Sequence, residues 1–323
     1  MKSRFILATV IVTLLGAMVL GQGQRRQRLN PIIELLEQKK PVFGLYAPSN
    51  PRGRGGAAPA GDGIVRQPNE LAKMALGNHQ MDFLFNGSME GGLDGQMPAF
   101  TEFVKGMVDA GALVKAPYLR LSHPLMLKIP KISTDPAKAI ENVSRQLNLG
   151  VSGTVFVETE SAEEIRNGLA AMRFKSKGGT RPGNAGSAPA YWGMTEAQYK
   201  EKADLWPLNP NGELVNFSIV ESKEGLAHVR EIAAVKGIAV LFPGAGTLRG
   251  VFRNDPEGWE KAIQQVLAAC KEFNVLCGYP ANNPQEMEQR MKEGFSVFIS
   301  SWSDDGFKAV DTGRRLAARP TSN

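Results

Sequence analysis

A strand, a helix and a second strand follow one another in residues 214–246, and this unit constrains the fold more than any other stretch. The first strand is an apolar run that ends at Glu221, and Ser222 can cap the helix that follows. Gly237 ends that helix, and the second strand runs into the Gly-rich turn PGAG. Strands joined by a helix lie parallel, so Glu221 and the turn share the sheet edge where α/β proteins bind ligands. Alternatively, Glu221 only begins the helix, near its positive dipole end.

The same alternation of strand and helix recurs along the chain. Strands are expected at residues 41–46, 81–85, 124–129, 153–157, 214–220, 238–242, 275–278 and 296–300. Strands separated by helices require parallel crossovers, and eight such units in roughly 300 residues predict an α/β fold of the (β/α)8 TIM barrel type. An open doubly wound sheet is the alternative, but no GxGxxG turn follows the first strand.

Residues 1–23 have the pattern of a secretory signal peptide. Lys2 and Arg4 precede an almost unbroken apolar run at residues 5–20, and small residues suited to cleavage follow. An uncleaved membrane anchor is the alternative, although the run is shorter than the roughly 20 residues that a bilayer requires. We therefore expect an exported protein, periplasmic or secreted, with no stable membrane span after removal of the signal.

Residues 30–323 are expected to form a single barrel domain. A loop rich in Gly and Pro, at residues 49–68, follows the first strand and either lies over the barrel mouth or is an insertion without a role. The formal net charge is +6, and the Lys and Arg residues are scattered among Asp and Glu. The sequence has no basic stripe and no nucleic-acid motif, so nucleic-acid binding is not expected. The two cysteines, Cys270 and Cys277, are predicted to be buried free thiols, although export makes a disulfide possible.

Several segments resemble, in order and spacing, the HpcH/HpaI aldolase and citrate lyase family, in its 2,4-dihydroxyhept-2-ene-1,7-dioate aldolase branch. They are PVFGLYAPSNP, DFLFNGSME, LKIPKISTDPAKAIENVSRQLNLG, IVESKEGLAHVREIAAVKGIAVLF and MKEGFSVFISSWSDDGF. The resemblance implies a barrel of the phosphoenolpyruvate/pyruvate superfamily type that assembles as a dimer or hexamer. It also implies carbon–carbon cleavage or formation beside a pyruvate enolate held on a divalent metal, Mg²⁺ or Mn²⁺.

Carried over residue by residue, the match to the family's site is uneven. The metal-binding Glu corresponds to Glu221, whereas the metal-binding Asp falls near Gly246, where this chain has no carboxylate. The Arg of the third strand corresponds to Lys128, which keeps the charge but loses the bidentate fork. The Asp and His of the family's DGEH motif correspond to Asn86 and Met89.

Other groups at the barrel mouth are therefore considered as replacements. Glu158, at the end of the fourth strand, is a candidate second metal ligand or acid/base group, and its alternative is a surface charge near a helix. Lys128 is the expected charge stabiliser, and Ser88 or Glu90 the expected polar contact. The catalytic candidates are thus Lys128, Ser88 and Glu158; the metal candidates Glu221 and Glu158; and the substrate-binding candidates Asn86, Tyr46, Gly244 and Ala245.

The sequence leaves three functional hypotheses open. The first is a carbon–carbon lyase that acts on a small oxo-acid or related carboxylate through a metal-stabilised enolate. The second is a non-catalytic exported barrel that binds a small acid or a protein partner. The third is Schiff-base chemistry at Lys128, which requires a desolvated lysine with a depressed pKa. The histidines, His79, His123 and His228, are expected to be structural.

Overall fold

The structure, a computed structural model, describes residues 27–50, 64–133 and 135–319. The expected signal peptide at residues 1–23 lies outside the described residues, as does most of the Gly/Pro-rich loop. Among the described helices, none is long and apolar enough to cross a membrane.

Within the described residues, eight parallel strands close a barrel, which confirms the predicted (β/α)8 fold. The barrel strands are β1 (Val42–Tyr46), β2 (Phe83–Asn86), β5 (Leu125–Lys128), β6 (Gly153–Phe156), β7 (Val215–Val220), β8 (Val240–Pro243), β9 (Leu276–Pro280) and β10 (Val297–Ser300). Each strand pairs with the next, and β1 closes the ring by pairing with both β2 and β10. A small antiparallel pair, β3 (Leu113–Val114) and β4 (Arg120–Leu121), was not expected and lies outside the barrel.

Helices surround the strands. They are α1 (Pro31–Glu37), α2 (Pro68–Leu76), α3 (Met97–Asp109), α4 (Pro136–Leu147), α5 (Ala162–Met172), α6 (Ala188–Tyr191), α7 (Glu196–Lys202), α8 (Lys223–Ala227), α9 (Val229–Ala233), α10 (Ala245–Val251), α11 (Pro256–Phe273), α12 (Pro284–Glu293) and α13 (Asp304–Leu316). Side-chain caps begin several of these helices: the side chains of Asp135, Asp255 and Asn283 accept a hydrogen bond from the first turn of α4, α11 and α12, respectively. These caps determine the residue at which each helix begins.

Aromatic side chains fill the barrel interior. The ring of Phe217 lies 5.5 Å from that of Phe83 and 5.4 Å from that of Phe242, measured between centroids. Gly44 makes room for Phe83, because a Cβ at this position would lie 2.2 Å from the ring. The filled interior leaves open space at the carboxyl ends of the strands, which is where barrels place their ligand sites.

The prediction that the two cysteines are free thiols is wrong. Cys270 and Cys277 form a disulfide with their Cα atoms 5.7 Å apart. The reason is the turn between α11 and β9: Asn274 adopts a left-handed conformation, φ 53°, and the Val275 amide donates to the Cys270 carbonyl. This reversal brings the strand back against the last turn of the helix, so both sulfurs face each other in the core.

Candidate active site

A cavity of about 410 Å³ opens at the carboxyl ends of the barrel strands. Its charged and polar lining includes Tyr46, Lys128, Glu221, Arg249, Asn282 and Glu286. Apolar walls come from Phe85, Ile219 and Phe242. An apolar cavity with a few convergent polar groups is the usual form of a small-molecule site.

Glu221 is the buried carboxylate of this cavity. It follows β7 and is 5% exposed. One oxygen, Oε1, accepts the backbone N–H of Glu158 at 3.0 Å, and Oε2 accepts the hydroxyl of Thr247 at 2.7 Å. Two donors thus fix the orientation of the carboxylate, while the remaining lone pairs of its oxygens are available to a ligand.

Gly244 shapes the space beside this carboxylate. A Cβ at Gly244 would lie 2.3 Å from Cβ of Glu221 and 2.6 Å from its Oε2. The next two residues, Ala245 and Gly246, also line the cavity, and a Cβ at Gly246 would meet nothing within 4 Å. The turn expected from the sequence is here the start of the short helix α10.

Lys128 lies at the end of β5 with its ammonium 2.9 Å from Oε2 of Glu90. Burial opposes the charge, but the hydrogen bond to Glu90 and the negative charge of Glu221 outweigh it and raise the pKa of Lys128 above the ordinary lysine value. Lys128 is therefore a cation at neutral pH. Tyr46, the other expected residue of this wall, packs edge-on against Phe85 with 4.8 Å between ring centroids.

The structure does not bring the carboxylate of Glu158 to the cavity lining. The Glu158 backbone is in the left-handed region, with φ 47°. This conformation turns its N–H toward Glu221, and its side chain, 53% exposed, lies 3.6 Å from Lys131. The described residues contain no group of three His, Cys, Asp or Glu side chains that could hold a metal ion.

The loop after β2 also differs from expectation. The Asn86 side chain accepts the backbone N–H of Ser88 at 2.8 Å, so it stabilises its own turn and is not part of the cavity lining. Ser88 lines a separate depression, which Pro130 also lines. Met89, where the family has its His, is fully buried against Gln146.

His123 and His228 both contact groups of the fold away from the cavity. His123 is 3% exposed and contacts the Asn78 carbonyl and the Ser122 hydroxyl. His228 contacts the backbone carbonyl of Glu160. Neither lines the cavity.

Sequence reasoning missed several residues of the cavity. Thr247, Arg249, Tyr279, Asn282 and Glu286 all line it. The fully buried Tyr279 donates its hydroxyl hydrogen to Glu286 Oε1 at 3.1 Å, and burial raises the pKa of Tyr279. Thr247 and Arg249 follow β8, Tyr279 lies near the end of β9, and Asn282 and Glu286 follow β9. Their nearness to the carboxyl ends of these strands was the available signal.

Comparison with known proteins agrees with this architecture. A model of the HpcH/HpaI aldolase/citrate lyase family matches residues 107–309, more than half of the chain. A hydroxypyruvate/pyruvate aldolase from Paraburkholderia phytofirmans is 26% identical over 166 residues, which cover 50% of this chain and 62% of the relative. The matches to the curated relatives span 53–62% of their lengths.

Solved structures show the same fold. An HpcH/HpaI aldolase/citrate lyase family protein from Burkholderia cenocepacia superimposes with a TM-score of 0.63 at 21% identity, covering 90% of this chain and 98% of that one. The protein CitE from Mycobacterium tuberculosis, in complex with magnesium and acetate, superimposes with a TM-score of 0.50 at 13% identity. That match covers 88% of this chain and 94% of CitE.

Proposed function

The chain belongs to the HpcH/HpaI aldolase/citrate lyase family, and from this membership we propose that it is a carbon–carbon lyase of the aldolase type. Its substrate is a small 2-oxo acid, bound at the barrel mouth and activated as an enolate. The observation that carries the proposal is the shared cavity of Glu221 and Lys128, the residues that correspond to the family's metal-binding Glu and charge-stabilising Arg.

Lys128 stabilises the negative charge that develops on the substrate oxygen. It is cationic, and its 2.9 Å contact with Glu90 holds it at the end of β5. A preorganised cation in a site that excludes water is worth far more to a developing charge than a cation in solution.

A divalent cation fits the cavity only with help from the substrate. Glu221 and the Thr247 hydroxyl offer oxygen donors, which suit a hard cation such as Mg²⁺ or Mn²⁺. The position of the second family carboxylate is Gly246, so water and the oxygens of the oxo acid would complete the coordination. When bound, the cation supplies Lewis-acid stabilisation of the enolate oxygen.

In this proposal, Glu286 is the general acid/base that transfers the proton. The family's His is replaced by the buried Met89, and Glu286 is the cavity carboxylate other than Glu221 among the described residues. The Tyr279 hydroxyl orients Glu286, and the Asn282 backbone N–H donates to its second oxygen at 3.1 Å. The proposal gives Ser88 and Glu158 no role, because neither lines the cavity.

The raised pKa of Lys128 argues against Schiff-base chemistry. An imine-forming lysine needs a neutral amine, whereas Lys128 is held as a cation by Glu90 and Glu221. Borohydride treatment in the presence of pyruvate is therefore expected to leave no adduct on Lys128, as peptide mass measurement would show.

One observation favours the alternative function, a non-catalytic barrel that binds a small acid. At two family positions the functional group is lost: Met89 has a thioether that cannot move a proton, and Gly246 has no side chain to bind a cation. In that case an oxo acid binds the cavity but its carbon-bound hydrogens never exchange with solvent.

We also propose that the mature chain acts outside the cytosol as a homo-oligomer. The apolar run at residues 5–20 and the Cys270–Cys277 disulfide support export, because disulfides persist in oxidising compartments. The resemblance to an oligomeric family supports self-association.

Metal binding through Glu221 tests the lyase proposal. Millimolar Mn²⁺ with pyruvate is expected to raise the melting temperature of the wild type by about 3 °C. Glu221→Gln should remove this shift, while Glu224→Gln, an exposed glutamate one turn further on, should keep it. A wild type with no shift would favour the non-catalytic barrel.

A further inference from the structure

A second cavity, of about 300 Å³, lies at the amino-terminal end of the barrel, opposite the candidate active site. We call it the basal cavity, and its charged and titratable lining consists of His79, Asp82, Arg120 and His123. Asp82 directly precedes β2, and His123 lies two residues before β5. Parallel strands place their amino ends on the face away from the mouth, so the lyase mechanism uses none of these residues.

Arg120 gives the basal cavity a positive charge that the fold does not neutralise. Its side chain is half-buried, and within the described parts of the chain it forms neither an ion pair nor a hydrogen bond. Its guanidinium carbon lies 5.8 Å from the centroid of the Tyr118 ring. A guanidinium without a carboxylate partner keeps its charge and its planar fork of N–H donors for an anion.

The carboxylate of Asp82 does not reverse this charge. It accepts the Phe43 N–H at 2.9 Å, and its Oδ1 lies 3.1 Å from Arg314 Nη1 and 2.6 Å from Arg319 Nη2. Two guanidiniums thus surround one carboxylate, and together with Arg120 they leave a surplus of positive charge. An anion in the basal cavity therefore meets net attraction.

The two histidines differ in what they offer a ligand. The ring nitrogens of His123 lie 2.8 Å from Ser122 Oγ and 2.9 Å from the Asn78 carbonyl oxygen, so both are used within the fold. His79 is exposed, and its ring nitrogens form no hydrogen bond with the described residues. The ring centroids of His79 and His123 are 6.2 Å apart. His79 can therefore donate an imidazole N–H to an anion, and His123 is a buried ring beside it.

The rest of the lining favours an anion that carries a short apolar chain. Leu35, Met81 and Leu121 line the basal cavity, and Met81 and Leu121 are buried. An inorganic anion would leave this apolar surface in contact with water, whereas a short alkyl chain would cover it.

We propose that the basal cavity binds a small monocarboxylate whose carboxylate lies at Arg120 and His79 and whose alkyl chain packs on Leu35, Met81 and Leu121. This site is separate from the barrel mouth. It does not depend on the lyase reaction, so the two proposals stand or fall independently.

The three histidines of the chain allow a test that identifies the site. Histidine labelled with carbon-13 between its ring nitrogens gives one NMR signal for each: His79 and His123 line the basal cavity, and His228 does not. At constant pH, millimolar hexanoate is expected to shift the His79 and His123 signals and to leave the His228 signal in place. Hexanol, which has the same chain without the charge, should bind at least about tenfold more weakly. Lys128→Gln, which alters the barrel mouth, should leave the hexanoate response unchanged.

Arg120→Gln should weaken hexanoate binding by at least about tenfold, and Arg120→Lys should keep part of the affinity, because lysine keeps the charge without the planar fork. Lys115→Gln is the matched control, since Lys115 is an exposed cation of the same hairpin that does not line the basal cavity. It should bind hexanoate as the wild type does.

Four results would overturn the inference. Hexanoate might leave the His79 and His123 signals unmoved, or shift all three histidine signals alike. Hexanol might bind as tightly as hexanoate, or Arg120→Gln and Lys115→Gln might bind hexanoate equally well.

Discussion

Gly244 shows how much of the site depends on single residues. Replacing it with Ala would force the new Cβ within 2.6 Å of the Glu221 carboxylate. We expect Gly244→Ala to lower the free energy of unfolding by about 1–3 kcal/mol and to abolish the Mn²⁺-dependent rise in melting temperature. Thermal melts with and without Mn²⁺ measure both effects.

Gly246→Ala is the control for this prediction. Its Cβ would meet nothing within 4 Å, and Ala is favoured over Gly in a helix. The variant should be neutral or slightly stabilised and should keep its Mn²⁺ response. Equal effects at the two glycines would show that the close approach to Glu221 does not matter.

His123 is expected to make stability depend on pH. Burial lowers the pKa of His123, so the folded state binds its proton less readily than the unfolded state, whose histidine has a pKa of about 6.5. The stability contributed by neutral His123 is therefore fully present above about pH 6.5 and is lost as the pH falls toward the folded pKa.

Urea unfolding at pH 7.5 and 5.5 checks this window. His123→Gln keeps a donor for the Asn78 carbonyl and should cost about 1 kcal/mol at pH 7.5. Between the two pH values, the wild type should lose more stability than the variant. Parallel losses in the two proteins would place the titrating group elsewhere.

The residues of the site were predictable where the strand end alone places them, as for Glu221 and Lys128. The position of the Glu158 side chain was not predictable. It depends on a left-handed backbone conformation, which glutamate rarely adopts and which no local sequence pattern predicts. Arg249 was missed for a related reason: the turn PGAG continues into the helix α10, which turns Arg249 toward the mouth.

At the level of elements, the eight strands follow from apolar runs bounded by Gly, Pro and caps, and the structure confirms each within two residues or so. The disulfide between Cys270 and Cys277 could not be predicted from such sequence patterns. It depends on the left-handed turn at Asn274, which decides that β9 runs back against the end of α11.

Removal of this disulfide tests its contribution. Because the loop it closes is short, Cys270→Ala with Cys277→Ala should lower the free energy of unfolding by about 2 kcal/mol. Urea unfolding with and without a reductant provides the control, since the reductant should destabilise the wild type and leave the double variant unchanged. A thiol titration of the unfolded wild type that finds both cysteines free would contradict the account.

At the scale of the whole molecule, the family resemblance leads us to expect self-association. Multi-angle light scattering at micromolar concentration should give a closed dimer or a higher symmetric oligomer. A strict monomer would contradict this and would exclude any contribution of a partner subunit to the site.

The central claim is that this barrel mouth forms an enolate from a small 2-oxo acid. Proton NMR of pyruvate in D₂O with Mg²⁺ measures this step directly, as loss of the methyl signal, and needs no aldehyde acceptor. The wild type should catalyse exchange, whereas Lys128→Gln should slow it by about 100-fold and Glu221→Gln by at least tenfold or so. Lys131→Gln, outside the cavity, should exchange at the wild-type rate. The account would be contradicted if the wild type exchanged the methyl hydrogens no faster than a sample without protein. It would also be contradicted if the Lys128 and Glu221 variants exchanged them at the wild-type rate.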